Sequence, residues 1–198
     1  MTSVPVDGFK QLLAALDKLE IQYAVAGSMA SSLHGVVRFT RDVDLVVRIG
    51  GDSIQPLQEQ LHADFYLDVE DAGEAIKRGR AFNVIHIASS YKYDLFPLTD
   101  DRYEQIQFGR RRFETSTAFG DEAVEFAVIS AEDVILTKLR WYNMGGRASE
   151  QQWNDVLGVI ALKRSELDYA YLREWAEHLG VERQLDEALA ERHESGDR

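Results

Sequence analysis

Hydrophobic residues near the start of the chain recur every three or four positions, which predicts an amphipathic helix over residues 6–19. Its apolar positions are Val6, Phe9, Leu12, Leu13, Leu16 and Leu19. The segment IQYAVAG that follows is short, apolar and closed by a glycine, as is typical of a buried strand. Ser28 then stands where a helix N-cap is expected, directly ahead of MASSLHGV. The chain is therefore predicted to begin with a helix, a strand and a second, short helix.

Apolar and alternating runs in the middle of the chain predict a sheet. DVDLVVRI is a strand that Gly50 and Gly51 bring to an end, and residues 53–62 are predicted to be helical. AFNVIHIA and YKYDLFPL are two further strands around a turn at Ser89–Ser90, and Pro97 ends the second of them. RRRFETSTAF and AVEFAVI complete the predicted strands.

From Ser130 onward the pattern is helical. In SAEDVILTKLRWYNMGG, Ser130 is a predicted N-cap with Asp133 three positions later, which is close to a capping box. SEQQWNDVLGVIALKR, SELDYAYLREWAEHLG and VERQLDEALAERHE predict three more helices. The predicted fold class is therefore α/β (α+β), with a mixed sheet and flanking helices over residues 1–129 and a C-terminal helical bundle over residues 130–198.

Composition narrows the class of protein. Hydrophobic residues make up 45% of the 198 residues, which is enough for a core, and there is no cysteine. The lack of cysteine excludes disulfides, thiolate metal sites and a cysteine nucleophile, and it fits a reducing compartment, so we expect a cytoplasmic protein. The first residues lack the features of a signal peptide, and no apolar run approaches the roughly 18 residues that a membrane span needs. We expect no membrane association.

The charge of the chain restricts its partners. The net charge is −12, from 22 basic and 34 acidic residues. Because affinity for nucleic acid comes from neutralising phosphates, this balance excludes a general nucleic-acid binder. Two short basic runs, KRGR at 77–80 and RRR at 110–112, are either solvated surface or local phosphate contacts.

Two carboxylates one residue apart interrupt the apolar run DVDLVV. Side chains alternate faces along a strand, so Asp42 and Asp44 point the same way, about 6.6 Å apart along the strand, whereas Val43 and Leu45 face the other layer. Two carboxylates that close repel each other, and a divalent cation such as Mg²⁺ removes that cost. The alternative is a pair of polar residues at an exposed strand end.

A third carboxylate, Asp94, lies in the middle of YKYDLFPL. If this strand lies beside DVDLVV, three carboxylates converge, which suffices for two metal ions that hold the attacking and leaving oxygens of a phosphoryl displacement. We therefore predict that Asp42, Asp44 and Asp94 bind Mg²⁺ or Mn²⁺.

The glycine and serine that precede these carboxylates suit a phosphate. Gly27 lets the backbone approach a phosphate closely, and Ser28 with the amides after it lies at a helix N-terminus, which binds anions. The sequence therefore predicts a nucleoside triphosphate held by Gly27 and Ser28.

Gly27-Ser28, a helix, the aspartate pair and a distant third aspartate form a pattern that resembles the polymerase-beta-like nucleotidyltransferase superfamily. The string GSMASSLHGVVRFTRDVDLVV resembles, more narrowly, AbiEii-type and related minimal nucleotidyltransferases, in which His-Gly and Arg-x-Thr precede the aspartates. Here those residues are His34-Gly35, Arg38 and Thr40. YDLF resembles the third-carboxylate strand, and SAEDVILTKLRW and WNDVLGVI resemble the helices that carry a lysine and an aspartate. The resemblance covers roughly residues 20–165; many relatives have Gly-Gly at the first motif, but the wider superfamily also uses Gly-Ser.

The resemblance implies a nucleotidyltransferase-type sheet and metal-dependent transfer of a nucleotidyl group from a nucleoside triphosphate such as ATP to an acceptor. It implies that Lys138 neutralises the triphosphate. Asp94 completes the metal site and is a candidate base for the acceptor hydroxyl. Asp155 either pairs with Lys138 or accepts that proton, and Arg38 and Thr40 either orient the strand or contact a phosphate.

By resemblance to AbiEii-type toxins, the acceptor is tRNA or a protein side chain, and an antitoxin is a candidate partner. Two other classes stay open: a non-catalytic nucleotide-binding or regulatory protein on the same fold, and a toxin–antitoxin component that acts mainly by binding its partner. The three intact aspartates argue against the first. His34 is a conceivable base, but at the end of a short helix it is expected to cap or pack.

Overall fold

The computed structural model describes residues 6–37, 40, 42–117 and 123–195. In these residues the chain forms nine α-helices and seven β-strands. The helices are α1 (Val6–Lys18), α2 (Gly27–His34), α3 (Ile54–Leu61), α4 (Val69–Lys77), α5 (Arg102–Gly109), α6 (Ala131–Met144), α7 (Glu150–Lys163), α8 (Tyr169–Leu179) and α9 (Glu182–Ser195). The strands are β1 (Tyr23–Val25), β2 (Asp42–Val47), β3 (Phe65–Tyr66), β4 (Phe82–His86), β5 (Tyr91–Pro97), β6 (Arg112–Ser116) and β7 (Val124–Val128). None of the helices in these ranges has the length and apolar character that a membrane span requires.

The seven strands form one mixed sheet in the order β3-β4-β5-β2-β1-β7-β6. Strand β2 is parallel to β5, and β1 is parallel to β7, whereas the other neighbouring pairs are antiparallel. Buried and half-buried side chains alternate along β2 and β5, as expected for strands that turn one face to a core. The mixed sheet with interspersed helices confirms the predicted fold class.

The chain divides into two compact units. The first contains the described residues of Met1–Ala26 and Phe39–Val128, and therefore the whole sheet with α1, α3, α4 and α5. The second contains the described residues of Gly27–Arg38 and Ile129–Arg198, and therefore α2 together with α6 to α9. The predicted functional boundary between residues 129 and 130 remains a prediction.

In the sheet-containing unit, α1 covers one face of the sheet through an aromatic cluster. Phe9 of α1 stacks on Tyr93 of β5 with ring centroids 6.3 Å apart, and it meets Phe126 of β7 edge-on at 5.7 Å. All three side chains are buried, and such ring pairs contribute about 0.5–1.5 kcal/mol beyond the burial of their area. Because side chains alternate along β5, the neighbours of Tyr93 turn to the opposite face.

The structure contains the predicted helix at the start of the chain, the predicted strands and the four predicted C-terminal helices. Sequence analysis missed α4, α5 and the two-residue strand β3, which is too short for a periodic signal. The prediction of Ser28 as an N-cap is wrong: Ser28 is the second residue of α2, which begins at Gly27 with a φ of 56°. Glycine adopts a positive φ at little cost, so Gly27 itself supplies the turn that starts the helix.

In the helical unit, α6 contacts α7, α8 and α9, and α2 contacts α6 and α7. Ser130 caps α6 as predicted, because its hydroxyl accepts a hydrogen bond from the amide of Asp133. The Asp133 carboxylate in turn accepts from the Ser130 hydroxyl at 2.7 Å and from the Tyr171 hydroxyl at 2.7 Å. This capping group therefore also fastens α8 to the start of α6.

A buried ion pair joins α6 and α7. Lys138 Nζ lies 2.9 Å from Asp155 Oδ2, and the two side chains are only 2% and 6% exposed. A buried charge is costly unless it is paired, so each of these side chains depends on the other.

Gly35 is expected to tolerate no side chain. A Cβ at Gly35 would lie 2.9 Å from the carbonyl oxygen of Ser31 and 2.9 Å from the amide nitrogen of Val159, and backbone atoms cannot rotate away. Gly35→Ala should therefore lower the free energy of unfolding by about 1–3 kcal/mol in urea denaturation. The matched control is Gly73→Ala in α4, where a Cβ meets nothing within 4 Å, and which should stabilise by about 0.5–1 kcal/mol. Equal effects of the two changes would contradict the tight packing at Gly35.

Breaking the buried ion pair should be far more costly than breaking an exposed one. Lys138→Met leaves the Asp155 carboxylate buried without its cation, and we expect a loss of about 3–5 kcal/mol in the free energy of unfolding. Adding Asp155→Leu should restore much of it. The control is Arg183→Met, which breaks an exposed pair with Glu187 on α9 and should cost less than about 0.5 kcal/mol. A Lys138 variant no less stable than the Arg183 variant would show that the pair is not structural.

Candidate active site

The parallel pairing of β2 and β5 brings the three predicted carboxylates onto one face of the sheet. Asp42 lies opposite Lys92, and Asp44 lies opposite Asp94, in a continuous register that runs from Asp42 to Val47. The three aspartates are half-buried, whereas the residues that alternate with them are buried in the core. The condition on which the sequence prediction depended, that the YKYDLFPL strand lies beside DVDLVV, is therefore met.

A lysine lies among these carboxylates. Lys92 Nζ is 2.6 Å from Asp94 Oδ2 and 4.0 Å from Asp42 Oδ2. The hydrogen bond to Asp94 raises the pKa of Lys92 above its ordinary value; partial burial opposes this rise, and the charges of Asp94, Asp42 and Asp44 add to it. Lys92 is consequently a cation throughout the neutral range.

Both oxygens of Asp94 have hydrogen-bond donors. Oδ2 accepts from Lys92, and Oδ1 accepts from the side-chain amide of Asn83, the residue directly opposite Asp94 on β4. The Asp94 side chain is 14% exposed and is therefore less exposed than that of Lys92, at 41%. The carboxylate is thus fixed in orientation by neighbours on its own strand and on the adjacent one.

Asp42 is oriented from the other side by Thr40. The Thr40 hydroxyl lies 3.0 Å from both the side-chain Oδ1 and the carbonyl oxygen of Asp42. The Tyr91 hydroxyl donates to the carbonyl of Thr40 at 2.9 Å, and burial together with the charge of Asp42 raises the pKa of Tyr91 to about 12. Tyr91 therefore remains a donor at neutral pH. These contacts agree with the alternative in which Thr40 orients the strand.

The donor set fits a hard divalent cation, although the carboxylates do not enclose one. Within residues 6–37, 40, 42–117 and 123–195, no group of three or more His, Cys, Asp or Glu side chains has the arrangement of a metal site. Carboxylate oxygens are nevertheless the ligands that Mg²⁺ prefers, and the ammonium of Lys92 already occupies a position that attracts positive charge. The oxygens are of the type that Mg²⁺ or Mn²⁺ binds, a cation at Asp94 Oδ2 would need Lys92 to move aside, and metal binding by these residues remains a prediction.

Gly27 and Ser28 form the first turn of α2 in the helical unit. Their role in binding a phosphate remains a prediction. Arg38, the other residue predicted to contact a phosphate, lies outside the described residues.

The site residues predicted on the C-terminal helices, Lys138 and Asp155, are paired inside the helical unit. Lys138 and Asp155 bind each other, which agrees with one of the two alternatives for Asp155, and the role of Lys138 on the triphosphate remains a prediction. Lys138 is not the surface lysine that such a helix usually carries, since it is almost fully buried. His34 is buried, and its Nε2 donates to the carbonyl of Ile129 at 2.8 Å, so it packs as expected.

Sequence analysis missed the two residues that contact Asp94 directly, Lys92 and Asn83. A signal for Lys92 was present: it precedes Asp94 by two positions on a strand and therefore shares its face. Asn83 had no such signal, because its proximity depends on the antiparallel register of β4 and β5.

Comparisons with known proteins identify the type of fold. Neither the scan against family models nor the search of curated proteins finds a match. Among solved structures, the chain is similar to an antigenic nucleotidyltransferase-like protein from Paracoccidioides brasiliensis, at 17% identity over 96% of this chain and 95% of that one, with a TM-score of 0.53. It is also similar to the antibiotic-resistance factor ANT(2'')-Ia, at 16% identity over 96% of this chain and 97% of that one, with a TM-score of 0.49.

The chain is also similar to the solved structure of the lincosamide antibiotic adenylyltransferase LnuA, at 13% identity over 81% of this chain and 99% of that one, with a TM-score of 0.46. Identities this low bear on the fold and not on the activity. The narrower resemblance to AbiEii-type proteins remains a prediction. The chain has a nucleotidyltransferase-type fold: a mixed α/β architecture that matches the Paracoccidioides brasiliensis protein over almost the whole of both chains.

Proposed function

We propose that this protein is a cytoplasmic, metal-dependent nucleotidyltransferase that moves a nucleoside monophosphate from a nucleoside triphosphate to an acceptor hydroxyl. The observation that carries the proposal is the register of β2 and β5, which gathers Asp42, Asp44 and Asp94 on one half-buried face. A core strand gains nothing from three carboxylates on adjacent strands, because like charges opposite each other are destabilising. A site that binds cations explains them.

The proposed reaction is an in-line displacement at the α-phosphorus. The acceptor oxygen forms a bond to phosphorus, and the bond from phosphorus to the oxygen that bridges to the β-phosphate breaks, so that pyrophosphate leaves with the electron pair. The acceptor proton passes to Asp94. Bound Mg²⁺ or Mn²⁺ supplies positive charge that stabilises the attacking and leaving oxygens.

In this proposal the chain's own residues mainly position the reactants, and positioning is a large part of such catalysis. Asp42, held by Thr40, and Asp44 bind the cation. Asp94 accepts the proton after Lys92 has released the carboxylate, while Asn83 keeps its hold on Oδ1.

The remaining roles rest on the family resemblance. The amides of Gly27 and Ser28 bind phosphates, Arg38 contacts the nucleotide, and Lys138 acts on the triphosphate, with Asp155 as its partner. Because Lys138 is almost fully buried and paired with Asp155, any effect on the triphosphate would come from a fixed charge and not from a mobile surface cation.

The acceptor remains tRNA or a protein, with an antitoxin as a candidate partner, because the resemblance to AbiEii-type toxins favours both. Two residues of the basic runs that could contact RNA already have partners within the chain. Lys77 pairs with Glu74 at 2.8 Å, and Arg111 packs on the Phe108 ring and donates a hydrogen bond to the backbone carbonyl of Phe108. An exposed ion pair contributes little and Arg111 keeps its charge, so these contacts leave both acceptors open.

The second candidate is a nucleotide-binding protein without transferase activity. The ion pairs of Lys92 with Asp94 and Asp42 favour it, because an ammonium that stayed in place would keep a metal ion from Asp94 Oδ2. In that case the fold would bind a nucleotide and release it unchanged.

Transfer of label separates the two candidates. We expect that, with Mg²⁺, one of the four α-³²P-labelled nucleoside triphosphates will label a component of whole-cell RNA or protein, and that the γ-labelled nucleotide will not. Asp44→Asn should reduce the labelling by about 100-fold or more, because it removes charge from the site of the displacement.

The control is Asp100→Asn, which removes the same charge from an exposed position and should leave labelling unchanged. Melting temperatures of both variants exclude a loss of fold. Nucleotide binding without transfer of label to RNA, protein or small molecules would decide for the second candidate.

A further inference from the structure

Lys92 places a positive charge on the face that is proposed to bind a metal ion. It lies directly opposite Asp42 on β2 and two residues before Asp94 on β5, so all three side chains share one face. Its ammonium is 2.6 Å from Asp94 Oδ2 and 4.0 Å from Asp42 Oδ2, and its charge is also felt by Asp44. Lys92 therefore contacts two of the three carboxylates and interacts with the third.

The ammonium and a divalent cation need the same oxygens. Three carboxylates and one ammonium leave a net negative face, so a divalent ion is still attracted. It cannot reach Asp94 Oδ2, however, while Nζ lies within hydrogen-bond distance of that atom. Two cations on one carboxylate also repel each other, and at these separations the repulsion is not removed by solvent screening.

Lys92 is able to withdraw. Its side chain is 41% exposed, and the lysine stem has several rotatable bonds, so the ammonium can leave the face without unfolding β5. The cost of leaving is the loss of two ion pairs in a half-buried position. In the proposed function, a triphosphate bound to the same cation would lower that cost, because its oxygens would offer the displaced ammonium new partners.

We propose that Lys92 is a built-in counter-cation of the carboxylate face, which the metal must displace, so that the site takes up a metal–nucleotide complex in preference to the bare metal ion. This inference rests on the proposed function. It makes Lys92 a positioning residue: it keeps the three carboxylates together before loading and disfavours binding of the bare metal ion.

The test measures metal binding directly. The free Mn²⁺ signal in electron paramagnetic resonance is followed while wild-type protein or Lys92→Gln is added. We expect Lys92→Gln to bind bare Mn²⁺ about 10-fold or more tightly than wild type, because it removes the competing charge and frees Asp94 Oδ2. The gain should disappear when Asp44→Asn is added.

Lys77→Gln is the matched control. It removes the same charge and also breaks an ion pair, but with Glu74 on the surface of α4, where both side chains are largely exposed. Its Mn²⁺ affinity should equal that of wild type. If Lys77→Gln raised the Mn²⁺ affinity as much as Lys92→Gln does, net charge alone would explain the effect and the proposal would be overturned.

The second arm uses a nucleotide that cannot react. A preformed complex of Mn²⁺ with α,β-methylene ATP should bind wild type and Lys92→Gln with affinities within about threefold of each other in equilibrium dialysis, because the displaced ammonium pairs with the triphosphate. If Lys92→Gln raises the affinity for the complex as much as it raises the affinity for bare Mn²⁺, the preference for the metal–nucleotide complex is overturned.

The outcomes separate this inference from the proposed function. If wild type and Lys92→Gln bind bare Mn²⁺ equally, and Asp44→Asn abolishes both, the inference fails while metal-dependent transfer stands. If neither protein binds Mn²⁺, with or without nucleotide, the inference and the metal dependence of the proposed function fail together.

Discussion

Asp44 and Asp94 face each other across the β2–β5 ladder, and the site depends on how their repulsion is relieved. Like charges opposite each other in a sheet are destabilising by a fraction of a kcal/mol to about 1 kcal/mol, and a third carboxylate at Asp42 adds to this. Lys92 offsets the cost through its contacts with Asp94 and Asp42. Lys92 therefore relieves part of the repulsion that this register creates on its half-buried face.

The same constraint links stability to the proposed chemistry. Under the proposed function, Lys92 stabilises the face before loading, and the face becomes reactive when a metal cation replaces the ammonium. Thr40 and Asn83 hold Asp42 and Asp94 in orientation during either state, since neither contact involves the ammonium. Exchange of the cation then needs movement of one flexible side chain and not of the sheet.

The helical unit resolves its buried charge differently. Lys138 and Asp155 are almost fully buried and neutralise each other at 2.9 Å. If either moved away, the other would be left as an unpaired buried charge. The contrast with Lys92 is one of burial: a 41% exposed ammonium is exchangeable, whereas a 2% exposed one is part of the core. The two lysines therefore require different tests, one of ligand affinity and the other of folding stability.

The sequence alone determined the elements with a strong period and the face that Asp42 and Asp44 share, because alternation along a strand is a local property. It did not reveal β3, α4 or α5, and it mistook Ser28 for an N-cap where Gly27 makes the turn. Only the tertiary structure decided that Asp44 lies opposite Asp94, that Asn83 binds Asp94, and that Lys138 is buried against Asp155. These facts depend on strand register and helix packing between residues distant in sequence, and no local pattern encodes such pairings.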